Sequence, residues 1–81
     1  MENENYYRTK NDYVIDSIHD ARDALGELEN ALDYLDNAEY AADEAGDYVS
    51  RANFRDAIRN TREAIKLITD GIASLKLEEE Q

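Results

Sequence analysis

An all-α antiparallel helical hairpin is the fold class this sequence predicts, and three observations predict it. Apolar or small residues step by four and three through Val14, Ile18, Ala21, Leu25, Leu28, Leu32 and Leu35, the seam spacing of a packed helix. The same rhythm returns through Phe54, Ile58, Thr61, Ile65, Ile68, Ile72 and Leu75. The two series mirror one another about Gly46-Asp47, so that Ile18 is set against Leu75, Leu25 against Ile68 and Leu35 against Ile58. Gly and Asp are also the residue types that end one helix and cap the next. Two helices alone leave each seam residue half exposed, and burying a Leu or Ile contributes roughly 1.5–3 kcal/mol only when burial is complete. The hairpin is therefore expected to be completed by dimerisation to a four-helix bundle.

Taken in order, residues 1–11 are polar apart from Tyr6 and Tyr7 and are expected to form a flexible segment. A helix is expected over 12–45, capped by Asn11 or Asp12. Gly26 falls inside it at an outward position, at a cost of roughly 0.8–1 kcal/mol relative to Ala. Asp36-Asn37, followed by Glu39 at a seam position, interrupts the apolar pattern, so a kink or short break near residues 36–40 is an alternative to one continuous rod. The turn is placed at 46–47 and a second helix at 48–77. Residues 78–81, with three Glu near the negative end of the helix dipole, form an acidic tail that favours fraying.

The flanks of the seam differ in chemistry. On one, Glu29 is expected beside Arg62 and Asp36 beside Arg55. The other carries Ala24, Ala31, Ala38 and Ala45 on the first helix and Ala57, Ala64 and Gly71 on the second, with Tyr13, Tyr34 and Leu67 one turn further round. Small side chains allow close helix approach. The expected dimer face is Tyr13, Ala24, Ala31, Tyr34, Ala38, Ala57, Ala64 and Leu67.

Nine Lys and Arg against twenty Asp and Glu give a formal net charge of −11. That disfavours direct binding to nucleic acid or to an anionic membrane. No apolar run approaches a membrane span, no signal-peptide pattern opens the chain, and a cytoplasmic protein is expected. There is no Cys to form a disulfide or a thiolate metal site. With one His and no glycine-rich phosphate loop, nucleophilic triads and nucleotide sites lack their parts, so neither enzymatic activity nor a cofactor or metal is expected.

The charge is also unevenly placed, since residues 12–47 hold most of the acids and Arg22 as their sole base. Asp12, Asp16, Asp20, Asp23 and Glu27 step along one outer helix face, with neighbours roughly 5–6 Å apart, and Asp33 follows them. Like charges at this spacing oppose helix formation, so a use for them is expected: occupying the nucleic-acid channel of a basic protein. In size and charge the chain resembles the small phage-encoded inhibitors, some anti-CRISPR proteins among them, that mimic nucleic acid. That resemblance implies an anti-defence inhibitor acting in a host cytoplasm. A structural or adaptor hairpin, assembled through the Ala and Tyr faces, is the alternative. A more distant one comes from His19-Asp20-Ala21-Arg22-Asp23-Ala24-Leu25, which is loosely similar to the phospho-accepting box of histidine-kinase dimerisation hairpins. The similarity implies phosphoryl acceptance by His19 with help from Asp20 and Arg22, although Asp23-Ala24 stands where that family usually has Thr-Pro.

Overall fold

The computed structural model describes residues 8–77, in which two long helices, α1 (Lys10–Glu44) and α2 (Tyr48–Ser74), pack side by side in opposite directions. Tyr6, Tyr7 and the acidic tail at 78–81 lie outside the described residues. The molecule is a rod, 62 × 29 × 14 Å.

α1 starts earlier than the periodicity predicts. Its N-cap is Thr9 rather than Asn11 or Asp12, because Thr9 and Asp12 satisfy one another in a capping box. Thr9 Oγ1 accepts from the Asp12 N–H at 3.1 Å, and Asp12 Oδ2 accepts from the Thr9 N–H at 2.9 Å. Residues 10 and 11 are thus helical. The helix then runs unbroken to Glu44, through Gly26 and through the 36–40 region where a kink or break was the alternative. Glu39 explains the continuity. Its side chain is only 23% exposed, but its carboxylate accepts from Arg55 Nε of α2 at 2.7 Å, so the seam holds a paired charge rather than a bare one. Ala42 resumes the apolar series and is buried.

The turn satisfies the end of α1 and the start of α2 with few residues. Gly46 N–H donates to the Asp43 carbonyl at 3.0 Å and Asp47 N–H to that of Ala42 at 2.9 Å, the paired bonds of a Schellman motif. Gly46 has a φ of 74°, the left-handed conformation that this motif requires. Gly46→Ala meets no steric obstacle, so its cost is the backbone strain alone, about 1–2 kcal/mol. Urea titration is expected to show that loss, with Gly26→Ala moving stability the other way by about 0.8–1 kcal/mol.

Asp47 then caps α2, accepting from the Ser50 N–H at 3.0 Å and from the Ser50 hydroxyl at 2.7 Å. The backbone bond first and the hydroxyl second hold the Asp47 carboxyl below its ordinary pKa. A carboxylate held low stabilises the fold fully above its unfolded pKa and loses that contribution as pH falls through the lowered one. Carboxyl NMR is therefore expected to find Asp47 titrating below an ordinary aspartate, and Ser50→Ala is expected to raise it. α2 ends at Ser74, short of the expected 77. There the Ser74 hydroxyl takes the Gly71 carbonyl at 2.9 Å and Leu75 turns extended.

The seam follows the expected positions. Val14, Ala42 and Ile58 are buried, and the other seam residues of both series are half-buried. Thr61 fits among them because its hydroxyl donates to the Ala57 carbonyl at 2.7 Å. No side chain among the described residues is fully buried.

Candidate acidic interaction face

Residues 100° apart on a helix place Asp12, Asp16, Asp20, Asp23 and Glu27 within an arc of about 80°, whose middle lies about 150° from the seam. The row therefore points away from α2. It extends about 22 Å along the axis. Asp33 stands about 100° round from its middle, turned towards the flank of Glu29 and Asp36.

The members differ in what holds them. Asp12 serves the N-cap of α1. Asp16 is ion-paired with Arg8, which also donates to the Asp12 carbonyl at 3.2 Å and lies 4.5 Å from the centre of the Tyr13 ring. Arg8 thus folds back over the start of α1, engaging Tyr13 of the expected dimer face. Asp20, Asp23, Glu27 and Asp33 are exposed and form no ion pair or hydrogen bond among the described residues. His19 is exposed beside the row, with Asp16 three residues before it and Asp23 four after.

Nearer the turn the arrangement reverses. Arg51 donates to Asp43 at 2.7 Å and Arg55 to Glu39 at the same distance, so two arginines of α2 neutralise two acids in the second half of α1. The expected partners were different. Arg55 takes Glu39 rather than Asp36, although Asp36 lines the same groove, and Arg62 and Glu29 are unpaired among the described residues. The reason is solvent. Glu39 stands at the seam, where a carboxylate partly withdrawn from water is attracted more strongly than one on the rim.

Arg51 is drawn inward as well, 5.0 Å from the centre of the Tyr48 ring, with its Nε out of solvent and without an acceptor. Around these pairs lies an open groove of about 280 Å³ lined by Asp36, Glu39, Tyr40, Asp43, Arg51 and Arg55. On the remaining α2 surface, Lys66 donates to Asp70 at 3.1 Å, and that hydrogen bond raises the Lys66 pKa. Arg59 pairs with Asp56.

No protein-family model matches the chain, and neither a curated protein nor a solved structure does. Among the described residues no group of three or more His, Cys, Asp or Glu could hold a metal ion, and no helix is long and apolar enough to cross a membrane.

The expected dimer-face residues fall together along the flank away from the arginine pairs. Ala24, Ala31, Ala38, Ala57 and Ala64 are half-buried, while Tyr34 and Leu67 are 75% and 59% exposed. Sequence reasoning missed Arg8, and it read Glu39 as an interruption of the seam without its pairing to Arg55. A signal existed for Glu39, a charge at a seam position with arginines at matching distance beyond the turn. For Arg8 there was none.

Proposed function

We propose that this chain is a small acidic, non-enzymatic interaction module whose α1 row docks on a basic protein that handles nucleic acid, its carboxylates standing in for phosphates. One observation carries the reading. Cross-helix arginines neutralise acids near the turn, whereas Asp20, Asp23 and Glu27 keep their charge uncompensated on a surface facing away from the seam. A row of that kind costs helix stability by like-charge repulsion and is repaired by a partner's cations. A phage-type inhibitor of the anti-CRISPR or other anti-defence class, acting in the host cytoplasm, is the role this chemistry fits. A second copy completes the hairpin to a four-helix bundle.

Immobilised protein challenged with basic nucleic-acid-binding proteins is the direct test. Retention that falls steeply with salt and is displaced by DNA or RNA supports the proposal. Retention indifferent to both overturns it. A structural or adaptor role is the second reading, favoured by the exposure of Tyr34 and Leu67, and such a contact would tolerate high salt.

A further inference from the structure

Charge on the hairpin is segregated by face, and one face carries almost none. Beside the seam, on the side away from Arg51 and Arg55, α1 presents Ser17, Ala24, Ala31 and Ala38, and α2 presents Ser50, Ala57, Ala64 and Gly71. The next strip outward on α2 is Asn53, Asn60, Leu67 and Ser74, again without charge. On α1 it is Tyr13, Asp20, Glu27, Tyr34 and Ala41, so the charges of this face are Lys10, one heptad before Ser17, with Asp20 and Glu27, and none lies between Glu27 and the turn. In a chain of net charge −11, two copies repel wherever acids meet. The half of this face nearer the turn, beyond Glu27, is where they can approach without that penalty.

The hairpin also has surface to lose. A compact chain of 9.3 kDa exposes about 5,000 Å², whereas this one exposes 6364 Å². Of the seam residues only Val14, Ala42 and Ile58 are buried, and the rest keep part of their surface in water. The radius of gyration, 19.4 Å, exceeds the roughly 12 Å of a compact chain of this length. The burial in deficit is that of the fold's own seam, so its occupant must be present whenever the chain folds, which a second copy is.

We infer that a second copy docks on this uncharged part of the face, about Ala31, Ala38, Ala57, Ala64, Tyr34 and Leu67, and that the contact is isologous. The inference rests on the four-helix completion proposed above and assigns its face. The arginine-paired flank stays outside the interface, and each dimer shows two acidic rows, one per protomer.

Sedimentation equilibrium and thermal melts over a hundredfold range of concentration test it. The wild type is expected to sediment as a dimer with a Tm that rises with concentration. The variant carrying Tyr34→Glu and Leu67→Glu, both at exposed positions, is expected to associate at least 100-fold more weakly, while Thr69→Glu on the opposite flank leaves the dimer intact. Should the double variant fail to fold at concentrations where the wild type is dimeric, association and folding are coupled through this face, which also supports the inference. A wild type that is monomeric with a concentration-independent Tm overturns the completion itself. A double variant that dimerises as well as the wild type overturns only the assignment of the face.

Discussion

Replacing Asp16, Asp20 and Asp23 by Asn and Glu27 by Gln in one variant is expected to abolish partner binding while leaving helix content unchanged. Each exposed charge contact contributes up to about 1 kcal/mol, so four lost together weaken binding by as much as about 1,000-fold. The fold is expected to survive because these side chains face away from the seam and three of the four make no ion pair among the described residues. The exception, Asp16 with Arg8, is exposed on both sides and contributes little. Relief of repulsion between Asp16 and Asp20, and between Asp23 and Glu27, adds a few tenths of a kcal/mol each to helix stability. Titration of the variant against the basic partner, with far-UV circular dichroism alongside, checks both halves. Binding that survives in a folded variant removes the mimicry reading. A control at Glu39 would behave in the opposite way, since Glu39→Gln breaks a cross-helix pair and loosens the fold rather than the acidic row.

Ile58→Ala is expected to be the most damaging single truncation of the seam. Ile58 is 5% exposed, the most buried of the three buried residues, and its loss costs about 2–5 kcal/mol by transfer and cavity terms together. A hairpin of this size has little stability in reserve, so much of its helical signal is expected to disappear at room temperature. Val49→Ala, at a residue 75% exposed, should change stability by no more than about 0.5 kcal/mol. Denaturant titrations of both variants at one protein concentration make the comparison. Equal losses at the two positions would mean that the seam does not hold the hairpin together.

Much of this architecture was legible from residue types alone. The four-and-three stepping from Val14 to Leu35 and from Phe54 to Leu75 marks the residues that lose solvent, because a helix repeats every 3.6 residues whatever lies beyond it. Gly46-Asp47 was legible for the same reason, as a left-handed conformation and an N-cap are requirements that few residue types meet. Thr9 was not, since it precedes the apolar pattern and its cap depends on Asp12 reaching back to its N–H. Nor was the continuity of α1 through residues 36–40. Asp36-Asn37 and Glu39 do weaken the local helix signal, and what overrides them is an arginine sixteen residues away on the other helix.

The acidic face divides along the same line. Periodicity by itself determined that Asp16, Asp20, Asp23 and Glu27 share an outward arc, because their directions follow from helical geometry and nothing else. Only the tertiary structure decided which acids keep an uncompensated charge, since Arg51 and Arg55 reach Asp43 and Glu39 after the chain has doubled back. The first is a property of one helix and the second of two. Coulomb attraction depends on distance through space, and across a turn that distance is set by how two rods pack rather than by how far apart their residues stand in the chain.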